Sequence, residues 1–271
     1  MKTKNILAFM IIITSMLFVS CKKEAINPTQ PTSSGASSLR VKMTDSPGEY
    51  ASLDVSIVSV QAYLENAGWV TLNNNVHHVS VLKLSNGITT DLSYNTNVAA
   101  GLYTKLKLIF GNENTITVNA AAGGGNASGT FQLTWLGPKE VEIPIYAEVK
   151  STGNTEVVLD FDAVSSIREQ LGEYIITPVI KEIKDMKTGV RGAITAGAHA
   201  AVVLNDIRVQ STTYADAKGD FILYSLKPGT YTMKIFPTAE AIINGAPSEF
   251  VIENVVVTDG KITQMGTIGW R

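Results

Sequence analysis

β-Branched residues make up a large part of this 271-residue chain. Valine, isoleucine and threonine number 25, 25 and 27, together 77 of 271 or about 28%, against 19 leucines. Their side chains are stiff at χ1 and fit the pleated surface of a sheet better than a helix. At 45% hydrophobic and 17% charged, the chain can also bury a core. The composition therefore predicts a folded, all-β protein of one or two domains.

Two further counts exclude whole classes of protein. The chain has one cysteine, Cys21, so no disulfide can form within it. The formal net charge is -2, which lacks the basic excess of a dedicated nucleic-acid binder. We therefore expect neither a disulfide-rich scaffold nor a nucleic-acid partner.

Apolar and polar residues alternate with a period of two in many short segments, as in strands with one wet face. In the segment 102–110, Leu102 and three further apolar residues at even positions share one face, and Lys105 and Lys107 take the other. The segment 141–149 alternates in the same way. A short helix is predicted near 163–170. Further strands are predicted at 39–44, 53–64, 69–72, 76–83, 115–119, 130–135, 155–161 and 174–183.

Several short motifs follow one another in the first part of the chain. They are VKMTDSP at 41–47, Trp69, LKLSNG at 82–87, GLY at 101–103, LDFDA at 159–163 and TPVI at 177–180. In this order and spacing they resemble the bacterial lipoprotein family known as domain of unknown function 4382. The resemblance covers residues 39–185 and implies an exported β-sandwich domain. The family has no catalytic mechanism to carry over.

A second unit is expected after the polar stretch 184–189, over residues 189–271. The segment 213–231, TYADAKGDFILYSLKPGTY, resembles the carboxypeptidase regulatory-like and transthyretin-like modules, which are seven-stranded β-sandwiches. The turn residues at 216–219 and 228–229 and the alternation after Tyr231 agree with this resemblance. We expect Phe221, Leu226 and Tyr231 to meet in one core. The whole chain is thus predicted to contain two antiparallel β-sandwich domains of the immunoglobulin-like or prealbumin-like kind.

The N-terminus predicts export. Lys2 and Lys4 precede an apolar run of 14 residues at 6–19, which is shorter than the roughly 20 residues that span a bilayer. The run ends at Phe18-Val19-Ser20-Cys21, which resembles the lipobox of bacterial lipoproteins. Residues 1–20 are then a cleaved signal, Cys21 is acylated, and 21–38 form a flexible tether. The alternative is an ordinary secretory signal that ends near an unrelated cysteine.

Lipidation predicts where in the cell the protein is located. Cys21 is followed by Lys22 rather than by aspartate, which resembles outer-membrane retention in Gram-negative bacteria. We expect an outer-membrane lipoprotein, either periplasm-facing or on the cell surface. Its membrane partner is the bilayer that holds the N-terminal lipid.

Residues with catalytic chemistry are scarce. His77 and His78 are adjacent, so on a strand they point to opposite faces, and His199 has no second histidine at i+4. Neither a zinc-peptidase nor a serine-hydrolase motif occurs, and no cofactor is predicted. We therefore expect a protein that is not an enzyme.

Two sets of residues remain as candidate binding sites. Asp45, Asp160 and Asp162 could converge on calcium, or they could start a turn and cap a strand end. Carbohydrate rings could stack on the three tryptophans, or the tryptophans could pack in the cores. These tryptophans are Trp69, Trp135 and Trp270.

We expect a cell-envelope lipoprotein that catalyses no reaction and that presents β-sandwich domains for binding or structural support. One alternative is a carbohydrate-binding surface protein that captures polysaccharide. A second is an adhesin or envelope assembly component that pairs its edge strands with an envelope protein.

Overall fold

A computed structural model of the chain describes residues 37–46, 50–119, 128–195, 201–205, 209–216 and 218–269, with the backbone alone at 46, 201–205, 209, 210, 239 and 240. The predicted signal, Cys21, the tether up to residue 36, His199 and Trp270 lie outside these ranges. Within them no helix is both long and apolar enough to cross a membrane.

The described residues form an all-β protein, which confirms the predicted class. The first eleven strands are β1 (Ser37–Ser46), β2 (Ser52–Leu64), β3 (Gly68–Asn73), β4 (His77–Ser80), β5 (Thr90–Thr96), β6 (Gly101–Phe110), β7 (Thr115–Val118), β8 (Gly129–Trp135), β9 (Glu140–Val149), β10 (Gly153–Asp162) and β11 (Ile167–Gln170). The next nine are β12 (Glu173–Ile176), β13 (Val179–Ile183), β14 (Gly189–Ile194), β15 (Ala201–Asn205), β16 (Val209–Tyr214), β17 (Asp220–Tyr224), β18 (Gly229–Phe236), β19 (Phe250–Val257) and β20 (Ile262–Ile268). Three short helices interrupt them: a 3-10 helix (Val81–Gly87), α1 (Ala163–Ser166) and α2 (Ala239–Ile243).

The first sandwich, residues 37–183, packs two sheets on one core. One sheet has the strand order β13-β10-β1-β5, and the other has the order β11-β12-β8-β7-β2-β6-β9, with β3 and β4 also paired to β2. The alternation along β9 is confirmed, because Ile143, Ile145, Ala147 and Val149 are buried and the residues between them are exposed. Burial of such alternating apolar faces against each other holds the two sheets together.

The second sandwich, residues 189–268, has its own core. Its sheets have the orders β17-β14-β20 and β16-β15-β18-β19, which makes seven strands. Phe221, Leu226 and Tyr231 belong to one buried cluster, as predicted from the alternation and turns. Met233 and Ile235 on β18 are fully buried in the same cluster.

Three strand pairs run parallel, although the sequence predicted antiparallel sandwiches. They are β1 with β10, β8 with β12, and β14 with β20. In each pair the two strands are far apart in the sequence. Period-two alternation reports which face of a strand is buried and carries no information on the direction of its neighbour.

The segment 76–83 was predicted to be one strand, and this prediction is wrong. It forms β4 and then turns into the 3-10 helix, whose Val81 and Leu84 are buried in the first core. Short apolar runs are compatible with either structure, and here packing decides the outcome. The helix predicted near 163–170 is likewise shortened to α1, after which the chain returns to an extended strand, β11.

Strand β5 was not predicted, and one face of β6 was assigned wrongly. β5 (TDLSYNT) has a single strongly apolar residue besides its tyrosine, yet it pairs with β1 along six positions. In β6, Tyr103 is fully buried and Leu102 is only half-buried. The register of β6 against β2 shifts here, where β6 holds one extra residue. Such a bulge exchanges the two faces of a strand.

The turn before β17 is fixed by Asp216. Its Oδ1 accepts hydrogen bonds from the backbone N–H groups of Lys218 (2.8 Å) and Asp220 (2.9 Å). Gly219 has a φ of +88°, and a Cβ on it would lie 2.1 Å from the backbone oxygen of Ile194. Glycine is therefore required here both by the backbone conformation and by the available space.

We predict that Gly219→Ala lowers the free energy of unfolding by more than about 2 kcal/mol, because the left-handed conformation and the clash add up. Gly245→Ala is the matched control, since Gly245 has a φ of +97° and no atom lies within 4 Å of the position that an alanine Cβ would take. Gly245→Ala should lower the free energy of unfolding by about 1 kcal/mol. Urea unfolding of both variants measures the difference, and equal losses would contradict the close approach to Ile194.

Candidate functional site

The two sandwiches meet at a turn in the first one. The 3-10 helix ends at Asn86 and Gly87, both with left-handed backbone conformations (φ 58° and 85°). The Asn86 side-chain amide donates to Asp216 Oδ2 at 2.7 Å. Arg191 Nη2 donates to the Asn86 carbonyl at 3.1 Å. Gly87 lies against the Tyr224 hydroxyl, so close that a Cβ would be 2.0 Å from it. We call this group of five residues the clamp.

Each side of the clamp is held by its own sandwich. Asp216 uses one oxygen to form its turn and offers the other to Asn86. Burial raises the pKa of the Tyr224 hydroxyl, and the neighbouring Arg191 partly opposes this shift. The hydroxyl therefore stays protonated at neutral pH, as a hydrogen-bonding group within the contact.

A cleft of about 300 Å³ lies between the sandwiches beside the clamp. Asp45, Asp160 and Lys181 line it from the first sandwich, and Thr213 and Ser225 are among the residues that line it from the second. This volume is at the lower end of the range for small-molecule pockets, and such pockets occur preferentially between domains. Its walls are rich in hydroxyl and carboxylate groups, so it favours a polar ligand.

Asp45 is the unusual residue of the cleft. It follows Thr44 near the end of β1, and only 5% of it is exposed. Within the described part of the chain, both of its carboxylate oxygens are buried without a hydrogen-bond partner. Its pKa is raised well above the ordinary value, first by burial and then by the charges of Asp160 and Asp162. The backbone N–H of Ala163 lowers the pKa, as the smallest of these effects, but it forms no hydrogen bond with either oxygen.

The other two aspartates are committed to partners. Asp160, 4% exposed, lies opposite Lys181 on the neighbouring strand, with Oδ2 at 3.3 Å from Nζ. Asp162 caps α1, because its oxygens accept from the backbone N–H and the hydroxyl of Ser165 at 2.8 and 2.9 Å. This is the capping role that the sequence analysis had weighed against calcium binding.

The three predicted metal ligands thus lie near one another, and their charges act on one another. Within the described part of the chain, however, no three histidine, cysteine, aspartate or glutamate side chains are grouped as in a metal site. The two described histidines of the HH pair have other neighbours: His77 contacts Asn73, and His78 Nδ1 lies 3.6 Å from a Glu113 oxygen.

The two described tryptophans lie on different strands of the first sandwich. Trp69 on β3 is 37% exposed and packs edge-on against Tyr63. The ammonium group of Lys107 lies 4.8 Å from the centre of its ring. Trp135 on β8 is half-buried and packs against Phe110, and its buried indole N–H has no hydrogen-bond partner among the described residues. Sugar stacking on these rings stays a prediction, as it does for Trp270, which lies outside the described residues.

Comparison with protein families identifies the first sandwich. The family described as "Domain of unknown function (DUF4382)" matches residues 36–178. The chain belongs to this family. The match includes Asp45, Asn86, Asp160 and Asp162, whereas Lys181 and the second sandwich lie beyond it. No curated protein matches the sequence.

Solved structures show weak overall similarity. The Bacillus anthracis TIE protein is 15% identical over 86% of this chain and 33% of its own, with a TM-score of 0.22. The minor pilin of Streptococcus agalactiae is 12% identical over 85% of this chain and 94% of its own, with a TM-score of 0.22. A streptococcal ancillary pilin is 10% identical over 86% of this chain and 68% of its own, again with a TM-score of 0.22. The chain spans about a third of the length of the TIE protein.

Sequence reasoning found part of this site. It singled out Asp45 and Asp160, but it treated Asn86 only as part of the family motif LKLSNG and Asp216 only as part of a turn. Their signal was present, because the Asn86-Gly87 pair favours a tight turn, and so does an aspartate such as Asp216 shortly before Gly219. What the sequence could not show is that the two turns contact each other across 130 residues.

Proposed function

We propose that this protein is a cell-envelope lipoprotein that binds a ligand without converting it, and that the cleft between the sandwiches is the binding site. The observation that carries the proposal is the cleft itself, whose wall includes Asp45, a residue whose buried carboxylate has no hydrogen-bond partner among the described residues. A buried polar group without a partner costs about 1 to 3 kcal/mol. A protein keeps such a group where it has a use other than stability.

The proposed location at the outer membrane rests on the N-terminal sequence. Residues 1–20 are the export signal, acylated Cys21 is the anchor, and 21–38 are the tether that holds the sandwiches away from an outer membrane. Several acyl chains on one residue would make the attachment stable, since each buried methylene contributes about 0.8 kcal/mol. We also propose that residues 190–271 are a carboxypeptidase regulatory-like module, which supplies the second wall of the cleft.

The two alternatives receive less support from the geometry. For polysaccharide capture, the ring of Trp69 is already contacted by Lys107, which is itself held by Glu140 and Glu142. For edge pairing, β9 is the edge of the larger sheet, but Pro144 has no N–H to offer. The Tyr146 N–H on the same strand already donates to a carboxylate oxygen of Glu182 at 3.2 Å. This edge is therefore protected against a partner strand.

We predict that Asp45→Asn stabilises the protein at pH 7 and not at pH 3.5. An acid with a raised pKa in the folded state binds its proton more tightly there, so its contribution to stability falls as the pH rises above about 4. Removing the charge should raise the free energy of unfolding by about 1 to 3 kcal/mol at pH 7. Urea unfolding at the two pH values measures it.

The control for this prediction is Asp91→Asn. The pKa of Asp91 is lowered, chiefly by its hydrogen bonds to Arg40, so the sign is opposite and this variant should lose stability at pH 7. A lower stability of Asp45→Asn at pH 7 would mean that the carboxylate supports the fold. That result would remove the observation on which the cleft proposal rests.

The anchor has its own test. We predict that Cys21→Ala moves the protein from the membrane fraction to the soluble fraction, because the residue that carries the lipid is lost. The wild-type chain should incorporate labelled palmitate, and the variant should not. Membrane sedimentation of the variant equal to that of the wild type would contradict lipidation. Protease treatment of intact cells then distinguishes a surface position from a periplasmic one.

A further inference from the structure

Asparagine is followed directly by glycine at two places in the chain, Asn86-Gly87 and Asn244-Gly245. Asparagine is a chemically labile residue, and a following glycine has no side chain to hinder an attack by its backbone nitrogen on the asparagine amide. The first pair lies in the clamp. The second pair follows α2 and is exposed. The same chemistry is therefore available in two different surroundings.

The loss of the amide needs water and no other reactant. The Gly87 backbone nitrogen attacks Cγ of Asn86, so that an N–Cγ bond forms and the Cγ–Nδ2 bond breaks. Ammonia leaves with the two amide hydrogens and the proton of the attacking nitrogen. Water then opens the five-membered succinimide ring at one of its two carbonyl carbons and gives aspartate or isoaspartate. Both products carry a carboxylate in place of the neutral amide.

The closed clamp holds Asn86 in a conformation that cannot form this ring. Its ψ of 30° places the Gly87 nitrogen and the Asn86 Cβ on nearly opposite sides of the Cα–C bond, whereas ring closure needs them on the same side. Asp216 holds the side-chain amide at 2.7 Å, and Arg191 holds the carbonyl at 3.1 Å. A rotation about the Cα–C bond would also move Gly87 relative to the Tyr224 hydroxyl, against which it lies. The ring can therefore close only after the clamp opens.

Deamidation would prevent the clamp from closing again. The Asn86 amide donates to Asp216, but a carboxylate only accepts hydrogen bonds. Two carboxylates at such a distance also repel each other. Isoaspartate adds a methylene to the main chain, which displaces the carbonyl that accepts from Arg191. Because each sandwich has its own core, both sandwiches stay folded while the contact between them is lost.

We propose that Asn86 is a site of spontaneous deamidation that reacts when the clamp opens. The closed clamp protects the amide, an opening event exposes it to attack by Gly87, and the product keeps the clamp open. This inference goes beyond the proposed function, because it needs no ligand. An aged chain keeps two folded sandwiches and loses the cleft between them.

The first test follows both asparagines by mass spectrometry of peptides from the purified chain, after incubation in mildly alkaline buffer with and without urea. Asn86 should react at least about tenfold more slowly in the folded chain than in urea, since only the open fraction reacts. Arg191 is exposed on β14, and Arg191→Ala should raise the rate at Asn86 in the folded chain about fivefold through the lost hydrogen bond. Asn244 is the internal control, because its rate should be the same in the wild type and in this variant.

The second test introduces the charge by substitution. Asn86→Asp places a carboxylate opposite Asp216, so residual dipolar couplings from the two sandwiches should require different alignment tensors. Adding Asp216→Asn exchanges donor and acceptor, because the introduced amide can donate to the introduced carboxylate while its oxygen still accepts from Lys218 and Asp220. The double variant should therefore return to one tensor. Asn244→Asp adds the same charge outside the clamp and should keep one tensor.

Three results would overturn the inference. The first is an equal rate at Asn86 in the folded chain and in urea, and the second is an unchanged rate at both asparagines in Arg191→Ala. The third is one tensor for Asn86→Asp, as for Asn244→Asp, because deamidation then leaves the contact intact. If Arg191→Ala unfolds the second sandwich, equal increases at both asparagines will show it. The double variant then decides: one tensor supports the inference, and two tensors overturn it.

Discussion

The contact of the Asn86 and Gly87 turn with the second sandwich is the interaction on which the cleft depends. It consists of two hydrogen bonds, from Asn86 to Asp216 and from Arg191 to Asn86, and of a close approach of Gly87 to Tyr224. Each sandwich has a separate hydrophobic core, so apolar burial alone would leave them free to turn about their connection. Directional polar contacts fix one orientation, and the cleft exists only in that orientation.

Asp45 shows the conflict between stability and function that such a cleft creates. Its neighbours in the first sandwich are well satisfied, because Asp160 has a lysine and Asp162 caps a helix. Replacing Asp45 with an apolar residue would have removed an unpaired buried group at no cost to the sheet. A use other than stability would explain why a charge-bearing group is kept at the end of β1.

The sequence predicted what depends on local pattern and missed what depends on distant contacts. The alternation of β9 and the meeting of Phe221, Leu226 and Tyr231 follow from the period of the apolar residues. The polar strand β5 could not be predicted, because it is stabilised by pairing with β1 and not by its own residues. The same holds for the site: Asp45 could be singled out from its motif, but its burial, the clamp and the cleft arise from chain segments far apart in sequence.

The clamp should hold the two sandwiches in one fixed orientation around the cleft. Residual dipolar couplings of backbone N–H groups in the weakly aligned Cys21→Ala chain test this claim most directly. If the clamp holds, couplings from 50–119 and from 218–269 will fit one alignment tensor of the same magnitude and axes. Two tensors of different magnitude or orientation would show that the sandwiches move independently, and they would contradict a cleft of defined shape.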